Sequence, residues 1–290
     1  MSTCKWPEGA RCAVFLSVNF DAESVDLRDS TGAGLYGRFS YGRYGVRAGF
    51  PRLLAVLDRL AISATFFVPG GDAKRHPDLV RSLVDHGHEV AARGVNLEDL
   101  KALGDAEVQT LQRSRDILAD ICHTTPVGFR APNNSLSIHT LGHLAALGFE
   151  YDASFQDDDY PYRIDVGGRT IVELPGSSGL DDAPAYGSRH THKRLMQTWR
   201  DEFDAMYDEG TLAAITMHLR GDLGSTRAAR IEALEELLRY MTSRPGVRFM
   251  NGRTLAAHVR GLGLPAEPDP ALAHLPTLRQ TSHRKGIARP

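Results

Sequence analysis

Short apolar runs alternate along the chain with stretches whose apolar residues recur at helical spacing. The run "CAVFLS" precedes "GFPRLLAVLDRL", and "ISATFFVPG" precedes "HPDLVRSLVDHG". The same order returns later, where "TLAAITMHL" is followed by "STRAARIEALEELLRYMTSRPG". Apolar strands that are separated by helices are typical of a parallel sheet. The pattern predicts an α/β fold, and about seven such units favour a closed (β/α) barrel over an open sheet.

Two segments break this alternation. Residues 24–45 are rich in Gly, Arg and Tyr and separate the first strand from its helix. Loops of this length are usually functional or disordered. The segment that begins at Gly263 is rich in proline and basic at its end. We therefore predict one barrel domain over residues 1–262 and a tail over residues 263–290, either disordered or packed on a neighbouring subunit.

Composition narrows the class of partner. The formal net charge is −2, so no overall field favours nucleic acid or an anionic membrane surface. The three cysteines are scattered without metal-type spacing, which is typical of reduced thiols in a cytosolic protein. No apolar stretch reaches the length of a membrane span or a signal sequence. These features predict a cytoplasmic protein without a nucleic-acid or membrane partner.

Polar residues gather where two apolar strands end. The stretch "VNFDAES" places Asn19, Asp21 and Glu23 at alternate positions, which share one face of a strand. The late run "AAITMH" ends at His218. Polar groups at the end of a buried strand are costly to hide, and catalytic residues of α/β barrels collect at strand ends. We expect these side chains to face a cleft.

Seven stretches in the same order resemble the polysaccharide deacetylase superfamily, which is also called the NodB-homology domain or carbohydrate esterase family four. The resemblance is closest to its intracellular peptidoglycan-deacetylase-like, cyclic-imidase-like and allantoinase-like branch. The stretches are "NFDAES", "YGVRAGFPRLLAVLDRLAISATFFVPG", "HPDLVRSLVDHGHEVAARG", "PVGFRAPNNSLS", "GFEYDASF", "VELP" with "LDDAP", and "LAAITMHLRGDLGSTRA". The resemblance implies a distorted (β/α) barrel of the NodB-homology type, with its site at the carboxyl ends of the strands.

The resemblance also assigns roles to residues. Asp21 takes the position of a metal ligand that follows the catalytic base on the first strand. Arg130 takes the Arg-x-Pro position, in which the arginine orients the base, and Pro132 follows it. His218 takes the position of the general acid on a late strand. These roles predict hydrolysis of a carbon–nitrogen bond.

Three positions depart from the metal-dependent pattern. The base position holds Asn19, whose amide cannot take a proton from water. Arg93 and Leu97 stand where the family has two metal-binding histidines, and neither side chain can ligate a cation. The nearby His86 and His88 have the wrong spacing. The sequence therefore predicts no catalytic metal and no other cofactor.

We hypothesise a metal-independent hydrolase of a non-peptide C–N bond in a cyclic ureide, imide, lactam or amide. The predicted catalytic residues are Asp21, Glu23 and His218, and the predicted substrate-binding residues are Asn19, Arg93, Arg130 and Asp152. Arg93 is expected to pair with Asp21 because an unpaired buried carboxylate is costly. The acids of "LDDAP", Asp181 and Asp182, are interpreted as loop caps, and His190 and His192 as surface residues.

Three alternatives remain open at the level of sequence. The first is a catalytically inactive relative that binds or regulates. The second is a polysaccharide or N-acetyl sugar deacetylase, and the third is an isomerase or lyase that reuses the same acid and base. The related intracellular branch forms oligomers, which implies a homodimer or homotetramer, and the partner that the hypothesis implies is a small-molecule substrate.

Overall fold

The predicted apolar runs form strands of one sheet in the computed structural model of the chain, which describes residues 4–28, 37, 39–188 and 190–270. In chain order, its strands are β1 Cys12–Asn19, β2 Thr65–Val68, β3 Glu89–Ala92, β4 Gly128–Phe129, β5 Tyr151–Asp152, β6 Tyr162–Asp165, β7 Thr170–Glu173, β8 Leu212–His218, β9 Val247–Phe249 and β10 Ala266–Pro268. Its α-helices are α1 Ser24–Arg28, α2 Ser40–Tyr44, α3 Phe50–Leu60, α4 Gly70–Arg75, α5 Pro77–Asp85, α6 Leu100–Leu103, α7 Glu107–Cys122, α8 Thr140–Ala146, α9 Asp182–Gly187, α10 His192–Glu209, α11 Ala228–Ser243 and α12 Gly252–Gly261.

The strands follow the order β8-β1-β2-β3-β4-β5-β7, with parallel pairing throughout this series. An isolated parallel bridge between Asp181 and Thr216 joins the segment after β7 to β8 and so closes the ring. β6 pairs antiparallel with β7, and β9 pairs with the first half of β1. The predicted α/β fold with parallel strands is confirmed, in the form of a distorted barrel.

Strand β1 shows why the barrel has two apolar layers. Alternate residues of a strand point to opposite faces. Cys12, Val14, Leu16 and Val18 belong to the outer core, which packs against the helices. Ala13 and Phe15 belong to a second cluster inside the barrel, together with Phe67, Tyr151 and Met250. Further along β1 this inner face becomes polar, first at Ser17 and then at Asn19, which places polar groups at the mouth of an apolar interior.

The barrel interior is filled beneath this polar mouth. The ring of Tyr151 lies so close to Gly128 and Gly252 that a Cβ at either glycine would approach a ring or hydroxyl atom to 2.0 or 2.3 Å. Any side chain there would collide with the tyrosine, so both positions require glycine. The interior is therefore packed, and a ligand can enter only from the carboxyl ends of the strands.

The two segments that break the alternation are partly described. The first residues of the predicted tail form β10, which pairs with β6 and extends the sheet. Residues 271–290 of that tail lie outside the described residues. The segment 24–45 begins in α1 and ends in α2, and its residues 29–36 and 38 also lie outside them. Among the described residues, no helix is long and apolar enough to cross a membrane.

Candidate active site

The barrel mouth brings together side chains that are far apart in sequence. Asn19 ends β1 and lies directly opposite His218, which ends β8. Arg93 immediately follows β3, and Arg130 immediately follows β4. Since parallel strands end at the same edge of a sheet, the topology places these groups around one cleft. The convergence that the sequence predicts for Asn19, Asp21, Arg93, Arg130 and His218 is present.

Asp21 and Arg93 form a buried ion pair. Nε of Arg93 lies 2.8 Å from one carboxylate oxygen of Asp21, and Nη2 lies 3.2 Å from the other. Both residues are buried, and Nη1 of Arg93 also donates to the carbonyl of Ala131. Burial alone would raise the pKa of Asp21, but the guanidinium outweighs it and lowers that pKa below its ordinary value. The carboxylate is ionised, and both its oxygens are occupied.

His218 is held between a carboxylate and an amide. Its Nδ1 lies 2.7 Å from Oδ1 of Asp182, and its Nε2 lies 2.9 Å from Nδ2 of Asn19. The other oxygen of Asp182 accepts from the backbone N–H groups of His218 and Ser225, at 3.1 and 2.8 Å. Burial lowers the pKa of His218, while Asp182, Asp21 and Asp181 raise it, and the net direction is upward. An imidazole fixed by a buried carboxylate is suited to proton transfer.

Arg130 is the second cation of the site. Its Nη1 lies 2.9 Å from the hydroxyl of Ser17 and 3.3 Å from Oδ1 of Asn19, and its Nε donates to the carbonyl of Ala153. The guanidinium stacks on Phe67, 4.1 Å from the ring centre. Burial, together with the charge of Arg93, lowers the pKa of Arg130 to about 10. Arg130 therefore remains protonated at neutral pH, and its charge faces Asn19.

Asp182 is the site residue that sequence reasoning missed. Asp181 caps α9 by accepting from the backbone N–H of Ala183, as the sequence analysis predicts for a loop acid. Asp182, however, is fully buried and holds His218. No local sequence signal identifies it, because its position depends on the bridge from Asp181 to Thr216, which carries "LDDAP" alongside β8.

Two predicted site residues make their contacts elsewhere. Nε2 of His76 lies 2.8 Å from the Glu23 carboxylate, and Glu23 is not among the residues that line the small cleft beside Asn19 and Arg130. Asp152 is fully buried and accepts from the backbone N–H and the hydroxyl of Ser154. It pairs across the strands with Glu173, whose carboxylate accepts from the N–H of Phe155. Asp152 thus supports the loop after β5, which borders the cleft.

The paired carboxyl groups of Asp152 and Glu173 make stability depend on pH. Burial raises the pKa of Asp152 to about 6, and burial beside Asp152 raises that of Glu173 well above its ordinary value. The folded chain therefore binds more protons here than the unfolded chain. This stabilisation is complete below the ordinary carboxyl pKa of about 4, and it is lost as pH rises through the folded values.

We expect Glu173→Gln to weaken this dependence, because the amide oxygen still accepts from Phe155 and its NH₂ donates to Asp152. The melting temperature of the variant minus that of wild type should increase as the pH is raised from about 4 to about 8. Each kcal/mol corresponds to about 2–4 °C in a protein of this size. Calorimetry over that range measures the difference, with the exposed Glu232→Gln as the matched control. A difference in melting temperature that stays constant with pH would contradict the raised pKa values of Asp152 and Glu173.

The residues at the family's metal position do not fit a metal. Arg93 occupies both oxygens of Asp21, and Leu97 supplies no ligand atom. Leu97 is buried and has a left-handed backbone with φ 59°. A second set of possible ligands, formed by Asp181, Asp182 and His218, is engaged in the hydrogen bonds given above. No step is therefore assigned to a metal.

A small polar cleft opens beside Asn19 and Arg130. It has a volume of about 30 Å³. The residues that line it are Asn19, Arg130, Asn134, Ala153, Phe155, Gln156, Gly176, Asp181 and Thr216. Three of these residues are amides, and each amide offers both a donor and an acceptor. This lining can pair with carbonyl and N–H groups of a ligand.

Comparison with known proteins agrees with the resemblance seen in the sequence. The family profile for polysaccharide deacetylases matches residues 38–151. A peptidoglycan deacetylase-like protein of Gibberella zeae is 34% identical, over 69% of this chain and 70% of its own length.

Two solved structures share the fold. A polysaccharide deacetylase homologue from Mycobacterium smegmatis is 36% identical, with a TM-score of 0.84 over 91% of this chain and 95% of the other. The PuuE allantoinase is 24% identical, with a TM-score of 0.80 over 88% of this chain and 92% of the other. The chain belongs to the polysaccharide deacetylase family of hydrolases, which act on carbon–nitrogen bonds.

Proposed function

We propose that the protein hydrolyses a non-peptide C–N bond in a small cyclic ureide, imide, lactam or amide, without a catalytic metal. The observation that carries this proposal is the ion pair of Asp21 and Arg93 beside the Asp182–His218 pair. In the metal-dependent pattern a cation would lie next to Asp21. Here the guanidinium satisfies that carboxylate, while the proton-transfer histidine and its carboxylate are intact.

The remaining groups match the needs of amide hydrolysis. The reaction needs a positive group for the oxyanion and a proton carrier for the water and the leaving nitrogen. Arg130 is a buried cation that faces the cleft, and Arg93 lies one strand away. His218 is the proton carrier, and Asp182 orients it. Asp21 and Glu23 already have close partners in Arg93 and His76, which makes His218 the stronger candidate for handling the water.

The lining of the cleft favours a ring with carbonyl and N–H groups. The cleft volume of about 30 Å³ is far below the roughly 300–1,000 Å³ of small-molecule pockets, so a substrate must also occupy the open barrel mouth beside it. The amides of Asn19, Asn134 and Gln156 can pair with the carbonyl and N–H groups of a ureide or imide ring. The allantoinase that shares this fold is named for allantoin, which is itself a cyclic ureide. Such rings also contain more activated C–N bonds than a sugar N-acetyl group.

One observation favours a second candidate, a catalytically inactive binding protein. Asn19 stands at the base position, and its amide lies against the Nε2 atom that would exchange protons. A decayed site would also retain a cleft that binds the former substrate.

Turnover of a substrate panel by metal-depleted protein tests the proposal. The panel contains hydantoins, dihydropyrimidines, cyclic imides, lactams and N-acetylglucosamine oligomers. We expect at least one ring amide to be opened by the dialysed protein, with no loss of rate in chelator. Elemental analysis should find far less than one zinc, cobalt or nickel ion per chain.

Three results would count against it. Activity that requires an added metal would reject metal independence. Turnover of the sugar oligomers alone would support a polysaccharide deacetylase. Binding of panel members by calorimetry, without turnover of any, would support the inactive relative.

A further inference from the structure

Four side chains form one hydrogen-bonded chain across the site, and its two ends fix its direction. Arg130 can only donate, and the carboxylate of Asp182 can only accept. Nη1 of Arg130 faces Oδ1 of Asn19 at 3.3 Å, so Nδ2 of Asn19 is the atom that faces His218. At the other end, Asp182 lies 2.7 Å from Nδ1 of His218.

This direction determines where the proton of His218 resides. An amide NH₂ group only donates, so Nε2 of His218 accepts and carries no hydrogen. Nδ1 then carries the hydrogen that Asp182 accepts. We infer that Arg130 and Asn19 are positioning residues, which hold His218 as the neutral imidazole protonated on Nδ1. His218 therefore enters the reaction as a base, whereas the resemblance assigns it the role of an acid.

Protonation of Nε2 would place two donors against each other. Turning the Asn19 amide would relieve this conflict only by moving it to Arg130. The charged groups around the imidazole act in the other direction, because the carboxylates of Asp21, Asp181 and Asp182 favour the imidazolium. Arg130, Arg93 and Arg220 are the cations that the structure places near Asn19 and Asp21. Asn19 thus opposes the surrounding carboxylates and keeps His218 available as an acceptor.

Position 19 carries an amide rather than an acid, and this amide keeps His218 neutral with its hydrogen on Nδ1. An aspartate there would accept from both Arg130 and His218 and would stabilise the imidazolium. The amide accepts from one neighbour and donates to the other. Because Asn19 at the base position cannot take a proton, His218 acts as the base instead.

The catalytic consequence rests on the proposed function, whereas the protonation state does not. A substrate carbonyl that accepts from Nδ2 of Asn19 would free Nε2. As the water oxygen bonds to the carbonyl carbon, Nε2 takes one proton from that water. When the C–N bond breaks, the same proton passes to the leaving nitrogen, and His218 returns to its neutral form. One histidine thus serves as base and then as acid.

Nitrogen-15 NMR of the histidine rings tests the protonation state without any substrate. The His218 signals are assigned by comparison with His218→Gln. Near neutral pH, wild type should show an Nε2 without hydrogen and an Nδ1 with one. Asn19→Ala removes the donor without adding charge, and Asn19→Asp adds an acceptor. Both should raise the pKa of His218, by about 1–3 units for the aspartate variant.

Asn134→Ala serves as the matched control. It removes an amide from the same cleft, whereas the amide that contacts His218 belongs to Asn19. It should leave the titration of His218 unchanged. An imidazolium in wild type near neutral pH, or an unchanged titration in Asn19→Ala, would overturn the inference. Should the NMR results hold while the substrate panel gives no turnover, the protonation state stands and the proposed function fails.

Discussion

Asp182→Asn is expected to lower kcat by about 1,000- to 10,000-fold on any substrate the protein hydrolyses, with the fold intact. The backbone N–H groups of His218 and Ser225 will keep the oxygen of the introduced amide facing them. The NH₂ group of that amide must then point at Nδ1 of His218, where it forces the opposite tautomer. Steady-state kinetics measures the loss, and circular dichroism confirms the fold.

Asp181→Asn is the matched control for this change. Its carboxylate lies 3.8 Å from Nδ1 of His218 and is partly exposed, so its loss should lower kcat by less than about tenfold. His218→Ala should be at least as damaging as Asp182→Asn, and the double variant little worse than the worse single one. Equal effects at positions 181 and 182 would show that general negative charge, rather than orientation of the imidazole, is what matters.

The second large effect concerns stability. Arg93→Met should lower the free energy of unfolding by about 3–5 kcal/mol, because it leaves the buried carboxylate of Asp21 without its partner. Urea denaturation, with activity as a second readout, measures this loss. The double variant Asp21→Asn/Arg93→Met removes both charges and should recover most of it. A double variant no more stable than Arg93→Met would show that Arg93 acts through packing or through its bond to Ala131.

The barrel was predictable because its strands are apolar on both faces and its long helices carry clear periodicity. The predicted helices over "GFPRLLAVLDRL" and "STRAARIEALEELLRYMTSRPG" match α3 and α11 closely. β6 and β10 were not predicted, since they are short, lie at one end of the sheet and bury little. Serine is a residue type that often caps a helix, but α8 begins at Thr140 after His139, not directly after Ser137. Ser137 instead accepts from the N–H of His139 in the turn before the helix.

The site was predictable only where strand ends fix it. Asn19, Asp21 and His218 follow from strand alternation and strand ends. The pairing of Arg93 with Asp21 follows from the energetic cost of a lone buried carboxylate. Asp182 could not be found from local pattern, because its role depends on a bridge between segments about 35 residues apart. Glu23 shares the alternation of the site residues, but β1 ends at Asn19 and the chain turns before Glu23 reaches the cleft.

The loop after β3 bears on how chemistry changes within this family. Glu98 holds the loop by accepting from the N–H groups of Val95 and Asn96, at 2.9 and 2.8 Å. Leu97 has a left-handed backbone that histidine adopts more readily than leucine does. Glu98 binds backbone groups, so the side chains at positions 93 and 97 are not what these two hydrogen bonds depend on. The residue pair at these positions is therefore expected to distinguish relatives that can bind a metal here from relatives in which an arginine pairs with the carboxylate at position 21.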